Sequence, residues 1–357
     1  MTAGQIVSGE YPALGVVAGH SVTLHYGNIA AEYAALDDGA MLVDRTVRGR
    51  MRFDGPKAAE MLTGLVTNDV LALSPGHGQY AAALSPKGRI VADVRIFSRA
   101  DHLLVDVPPR ARAGWEALIR KYINPRVVPY VDVGAEMRQV AIAGVAARAI
   151  LCGAAGLARE ALAALVPYAH IDAEIGGRPA MIVRMPDLHA DGYEIFFPAD
   201  AFGAVWQRLT AGGATPGGLL AWEIARIENG RPEWGIDIDD TTIPQEANLE
   251  ELHAISYTKG CYTGQEVVAR IHFRGHVNRH LRGLRFGHSE PPQEHSAILS
   301  NEGKQIGDVR SSALSPRMGA IALIMVRREV ELESTVIVEG ESATIQGQVV
   351  SLPFARE

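Results

Sequence analysis

Two periods alternate along the first third of the chain. "GQYAAAL" (78–84) and "GRIVADVRIFS" (88–98) read as strands; in the second, Ile90, Ala92, Val94 and Ile96 alternate with Val91, Asp93, Arg95 and Phe97, the period of a pleated strand. A turn at Arg99-Ala100-Asp101 leads into "HLLVDV", which predicts a hairpin. Helical spacing marks "DGPKAAEMLTGLV", with Asp54-Gly55 expected as its cap, Pro56 in the first turn and Met61, Leu62, Leu65 and Val66 on one face. "RARAGWEALIRKYI" likewise places Ala111, Trp115, Leu118, Ile119 and Tyr122 on one side.

From about 134 to 215 the chain is rich in alanine and glycine. Strands are expected at "RQVAIAG", "PAMIVRM" and "GYEIFF", and helices around "GLAREALAAL" and "ADAFGAVWQRL". "TPGGLLAWEIARIENG" is the clearest helical pattern: Thr215 caps it, Pro216 enters the first turn and Gly230 ends it. Leu219, Leu220, Ile224 and Ile227 form its buried stripe, and Trp222 and Arg226, four residues apart, are expected to touch. Beyond about 280 only short strands remain: "HLRGLRF", "QIGDVRSS", "AIALIMV", "STVIVEG" and "ATIQGQVV". They predict an all-β C-terminal domain, a small barrel or sandwich.

Composition narrows the class. At 357 residues, 47% hydrophobic and 21% charged, the chain supports two or three well-buried domains. A net charge of −7 argues against nucleic-acid binding. Two cysteines, at 152 and 261, form no disulfide framework and point to a reducing compartment. The opening "MTAGQIVSGEYPALGVVAGH" does not read as a targeting segment and no apolar run is long enough to span a membrane; a soluble, cytoplasmic protein is expected. Charge is uneven: Trp222–Glu251 carries nine acids against two arginines, whereas Lys259–Arg285 carries six Lys/Arg against Glu266 alone. These read either as two solvated faces or as a basic rim suited to an anionic ligand.

The chemistry-bearing stretch is "KGCYTGQEVVARI". Cys261 follows Gly260 and precedes a helix expected to begin near Thr263 or Gly264. The helix terminus and Lys259 would both favour thiolate, while an inert buried thiol is the alternative. Cys152, in "AILCGAAG", is assigned to the core. His272, His276 and His280 have i, i+4, i+8 spacing, but Gly275 interrupts the run, Arg274 and Arg279 would repel a cation, and no metal site is assigned. Trp222 with Arg226 is either a surface cation–π pair or a platform for a flat anionic ligand. No phosphate-binding glycine loop, nucleophile elbow or zinc-protease motif is present.

"KGCYTGQEVVARIHFRG" resembles the signature of the YgfZ family, folate-binding proteins of iron–sulfur cluster assembly, within the superfamily of the glycine-cleavage T-protein, an aminomethyltransferase. The eight residues Lys259, Gly260, Cys261, Tyr262, Thr263, Gly264, Gln265 and Glu266 match it without a gap. "GPKAAEMLTGLVTNDVLALSPGHGQYAAALSPKGRIVADVRIF", "DGYEIFFP", "ARIENGRPEWGIDIDDTTIPQEANL" and "IGDVRSSALSPRMGAIALIMV" resemble further blocks of the superfamily.

The resemblance implies an α+β, three-domain ring around a central folate pocket. Residues 1–46 with 134–235 would form a discontinuous first domain and 47–133 an inserted one. Residues 236–279 would be a linker carrying the motif, and 280–357 a C-terminal β-barrel. It implies tetrahydrofolate, or a one-carbon derivative, as cofactor, held by Trp222, Arg226, Glu194 and Asp93, with Cys261 and Lys259 as the reactive pair. The implied role is assembly or repair of [4Fe–4S] clusters, with iron–sulfur enzymes, tRNA-modifying ones among them, and assembly proteins as partners. The alternative is a folate-dependent aminomethyltransferase or demethylase. Two departures weigh against that alternative: Ala92 stands where the T-protein has one of its paired aspartates, and the T-protein lacks the cysteine motif. Arg48 stands near the place of a second aromatic folate contact.

Overall fold

The computed structural model describes residues 12–287, 290–340 and 344–355. The first eleven residues of the expected first domain, and Ala343 of the last predicted strand, lie outside them. A hairpin of β1 (Ala13–Val17) and β2 (His20–His25) precedes helix α1 (Ile29–Asp38) and β3 (Met41–Asp44). Next come β4 (Gly49–Asp54), α2 (Ala58–Thr63), β5 (Gly78–Leu84), β6 (Ile90–Ser98), β7 (His102–Val107), α3 (Arg112–Tyr122) and β8 (Tyr130–Asp132). These strands make one antiparallel sheet in the order β5-β6-β7-β4-β8. Its inner face packs Phe53, Val94 and Ile96 against Leu62 of α2 and Trp115 of α3.

A second sheet returns to β3. It is built from β9 (Met137–Ala143), β10 (His170–Ile175), β11 (Arg178–Met185), β12 (Gly192–Pro198) and β13 (Thr215–Pro216), in the order β10-β11-β12-β9-β3-β13. Helices α4 (Ala147–Ala155), α5 (Arg159–Ala163) and α6 (Phe202–Ala211) accompany it, and Cys152 is buried among them. Then follow α7 (Leu219–Glu228) and α8 (Gln265–Arg274). Strands β14 (Arg279–Arg285), β15 (Ala297–Leu299), β16 (Gln305–Ser315), β17 (Gly319–Arg327), β18 (Thr335–Glu339) and β19 (Thr344–Val350) close into a six-stranded barrel. Among the described residues no helix is long and apolar enough to cross a membrane.

Helix α7 is the keystone. Ala221, Ile224, Ala225 and Ile227 share a core with Tyr33 and Leu36 of α1 and with Leu281, Ala313, Ile321 and Phe354 of the barrel region. Burying each large apolar side chain is worth about 1.5–3 kcal/mol. A charge at the centre of this core, Glu228, is satisfied by the Tyr33 hydroxyl at 2.7 Å and the Ser315 hydroxyl at 2.6 Å, as a buried carboxylate must be.

Three helix boundaries differ from the expectation. Thr215 and Pro216 pair in parallel with Met41 and Leu42, so α7 begins only at Leu219; the buried Glu32 carboxylate takes the Gly218 N–H at 2.8 Å in place of a local side-chain cap. Asp54 belongs to β4, and Gly55 turns at φ +90° before α2 starts at Ala58. Helix α5 is only five residues long, and the better helix lies upstream, at Ala147–Ala155.

Candidate functional site

Strand β6 has two buried faces with different tasks. Ala92, Val94 and Ile96 enter the apolar core beside Phe53 and Trp115. Asp93 and Arg95 point the other way and line a polar cavity of about 410 Å³. The position where the T-protein carries one of its paired aspartates faces the core, and an acid there would have no route to the cavity. Ala92 therefore carries no weight against aminomethyl transfer.

Asp93 is 6% exposed. Its Oδ2 accepts from the Tyr80 hydroxyl at 2.8 Å, and its Oδ1 has no partner among the described residues. Burial, reinforced by the negative charge of Glu233, raises this carboxyl to about 6. Tyr80 is itself held by stacking on Tyr168, with ring centroids 6.4 Å apart.

The rest of the lining comes from remote segments. Arg226 donates from Nε to Glu223 at 2.9 Å and from Nη1 to Asp237 at 2.6 Å, leaving Nη2 unpartnered. Trp222 lies on the same helix, but its ring is covered by Arg45, whose Cζ stands 4.5 Å from the ring centroid; the expected Trp222–Arg226 contact is replaced by this one. Arg48 grips Asp106 through Nε at 2.8 and 2.9 Å. Arg231, Asp187 and Glu233 complete the wall. A second cavity, of about 750 Å³, shares Arg45, Arg48 and Glu233 and is otherwise largely apolar, with Leu24, Val47, Leu219, Leu220 and Ile227 on its walls.

Of the four residues expected around folate, Asp93, Trp222 and Arg226 line the polar cavity. Glu194 does not: it is fully buried behind Arg95, which donates to it at 2.9 Å, and it also accepts from Gln139. Sequence reasoning missed Arg45, Tyr80, Arg95, Asp187, Arg231 and Glu233 as site residues. The charged side chains inside the apolar run of β6 were the one available signal.

The KGCYTGQE loop lies elsewhere, and none of its residues lines either cavity. Lys259 is buried and donates to the carbonyls of Thr63, Val66 (2.6 Å) and Asn68 (3.1 Å). Burial lowers its ammonium to about 8. The expectation of a lysine placed to activate the thiol gives way to a clamp on the segment after α2. Tyr262 is buried under that ammonium, 4.6 Å from its ring centroid, and its N–H donates to the Gln265 side chain at 3.3 Å. Thr263 N–H reaches the Gly64 carbonyl at 3.1 Å. Gly264, at φ +83°, passes so near the β5–β6 turn that a Cβ would meet the Ser85 carbonyl at 2.6 Å. Gly260, Cys261 and Glu266 are exposed.

The three histidines do not share a helical face. Helix α8 ends at Arg274 and His280 belongs to β14, while His272 stacks on Tyr257 with centroids 3.6 Å apart and pairs with Glu250 at 2.9 Å. Among the described residues no group of three or more His, Cys, Asp or Glu could hold a metal ion. The acidic and basic runs meet in places: Glu246 pairs with Arg279 at 2.9 Å.

Two family models match the chain. The GCVT N-terminal domain covers residues 10–256 and the glycine cleavage T-protein C-terminal barrel domain covers 279–355. The chain is 30% identical to an aminomethyltransferase of Rubrobacter xylanophilus over 354 residues, 97% of this chain and 92% of that one. It is 28% identical to an aminomethyltransferase of Bacillus subtilis over 344 residues, 94% and 93% of the two chains. Its fold is similar to the crystal structure of the glycine cleavage system aminomethyltransferase T from Bartonella henselae, with a TM-score of 0.86 at 23% identity, covering 97% of this chain and 95% of that one. With an antiparallel and a mixed sheet, a closed six-stranded barrel and both halves matched, the chain belongs to the glycine-cleavage T-protein family.

Proposed function

We propose that the chain binds tetrahydrofolate across the two joined cavities and transfers a one-carbon unit between an amine and that cofactor, as an aminomethyltransferase. The observation that supports this most directly is Asp93: a buried, cavity-lining carboxyl with one oxygen held by Tyr80 and the other without a partner among the described residues. The lining also fits such a ligand. Open donor and acceptor atoms, Arg226 Nη2 and Asp93 Oδ1, suit a hydrogen-bonding ring, and the apolar walls of Leu219, Leu220 and Ile227 suit an aromatic linker.

Tetrahydrofolate, when bound, supplies the nucleophilic amine that accepts the one-carbon unit. Asp93 is mostly ionised at pH 7, its carboxyl titrating at about 6, and is thereby matched to receive or return a proton through Oδ1 near neutrality. Tyr80 keeps Oδ2 occupied, so that one oxygen alone handles the proton. Arg226 offers Nη2 to an acceptor of the ligand, and Trp222 supplies an apolar wall. Glu194 acts at one remove, by holding Arg95 in place. The test is formation of methylene-tetrahydrofolate from aminomethyl donors. Turnover by the wild type that falls at least a hundredfold in Asp93→Asn is expected; no product from any donor overturns the reading.

A second reading is favoured by one feature, the exposed thiol of Cys261 on a loop anchored at both ends by Lys259 and Gly264. Such a loop suits a cytoplasmic factor that assists assembly or repair of iron–sulfur clusters, with iron–sulfur enzymes and assembly proteins as partners. One thiol does not enclose a cluster that takes about four ligands, so any cluster would be shared. Here Cys261→Ser should fail to restore iron–sulfur enzyme activity in a deletion strain; full restoration removes this reading.

A further inference from the structure

Asp106 of β7 is fully buried and lines neither cavity. Strand β7 lies between β6 and β4, and the register sets Asp106 opposite Arg95 on one side and Arg50 on the other. Its two oxygens accept from Arg48 Nε at 2.9 and 2.8 Å, and one of them also accepts from Arg95 Nη1 at 3.2 Å. Burial pulls the Asp106 carboxyl up, but Arg48 and Arg95 hold it below the usual carboxylate range, so it is ionised at neutral pH. Both arginines line the polar cavity together with Asp93, and Arg48 lines the apolar cavity as well. Among the described residues the Arg48 side chain has no other hydrogen-bond or ion-pair partner. Arg95 has two more, Glu194 at 2.9 Å and Asp187.

The groups that face Asp93 are mixed in sign. Tyr80 donates to it, and Arg45, Arg48, Arg95, Asp187, Arg226, Arg231 and Glu233 share its cavity. Burial and Glu233 push the Asp93 carboxyl up, whereas Arg48 and Arg95 pull it down. The strength of that pull depends on the carboxylate behind the two guanidiniums. We propose that Asp106 is a positioning residue of this site: it fixes Arg48 and Arg95 in the cavity wall and offsets the positive charge that they present to Asp93. Asp106 thereby deepens the functional reading above, from which only the proton-handling role of Asp93 is taken. An asparagine there keeps the shape, but its amide offers one acceptor oxygen where the carboxylate has two. Arg48 is then less firmly held, and both guanidiniums act on Asp93 without their shared counter-charge.

NMR titration of the side-chain carboxyl carbons in the ligand-free full chain tests this, with Asp93→Asn identifying the Asp93 signal. In Asp106→Asn the Asp93 midpoint should fall by about half a unit or more. In Asp132→Asn, which removes an exposed partner of Arg112 on the same sheet, it should stay in place. The acid limb of the pH–rate profile should move to lower pH together with the Asp93 midpoint. A lower melting temperature with that midpoint unmoved makes Asp106 structural alone and overturns the proposal. Should Asp106→Asn fail to fold, the same change is read in an Arg48→Met background, since removing both members of a buried pair costs less than removing one. Adding Asp106→Asn there should still lower the Asp93 midpoint, through Arg95, and an unchanged midpoint overturns the assignment. A shifted midpoint without any folate turnover would instead sink the transferase reading and leave this one standing.

Discussion

The Tyr80 hydroxyl donates to Asp93 Oδ2 at 2.8 Å, while Oδ1 has no partner among the described residues. This hydrogen bond opposes the upward pull of burial on the carboxyl. Tyr80→Phe should therefore move the acid limb of the pH–rate profile to higher pH, by roughly one unit. A profile that keeps its midpoint would show that Tyr80 does not govern the titration.

Asp93 also couples to folding. Its carboxyl titrates at about 6 in the folded chain and near 4 in an unfolded one, so between those values the folded state binds more protons. The stability from the neutral form is complete below about pH 4 and is lost as pH rises through about 6. Asp93→Asn should remove that slope. Urea midpoints at pH 4.5 and 7 check it: relative to the wild type, the variant should gain stability at the higher pH.

Ala92 gives the complementary test. Asp placed there enters the core beside Phe53 and Trp115, at a cost of about 3 kcal/mol or more. Ala92→Asp should be destabilised and no more active than the wild type. A stable variant with raised turnover would restore the pair of aspartates as the catalytic requirement.

Lys259 holds three carbonyls, and each one left unsatisfied costs about 1–3 kcal/mol. Lys259→Met should lower the denaturation midpoint markedly. Cys261→Ser, on the exposed side of the same loop, should stay within about 0.5 kcal/mol of the wild type. Mass-spectrometric labelling adds a second readout: Cys261 should alkylate in the folded protein, whereas Cys152, buried and with its thiol raised by burial, should react only on unfolding.

Trp222→Ala should weaken tetrahydrofolate binding by on the order of 1 kcal/mol and also unseat Arg45, which rests on the ring. Unchanged affinity in titrations of both proteins would remove Trp222 from the site.

Periodicity revealed most strands and the barrel because their apolar faces are regular. It failed on α1, where the buried Glu32 and Tyr33 sit in the stripe that should be apolar; Glu32 is there to take the N–H groups of Tyr26 and Gly218. Alternation also does not show that both faces of β6 are buried, since Asp93 and Arg95 look solvent-facing until a second wall closes over them. Trp222, Arg226 and Asp93 were legible through the family resemblance, whereas Arg45 carried no local signal. Its role arises from the packing of a loop against a helix some 177 positions away in sequence, which no local pattern encodes.

The barrel is more than an appendage. Ser311 of β16 donates to Asp237 at 2.6 Å, and Asp237 in turn holds Arg226 at the cavity; Ser311 and Ser312 also face the apolar cavity. The C-terminal barrel thus acts as a tensioner for a cavity-lining arginine that precedes Ser311 by more than eighty residues. Modular inheritance is constrained accordingly: separated from the barrel, the N-terminal part would lose the β16 hydroxyl that holds Asp237, and with it one support of its own Arg226.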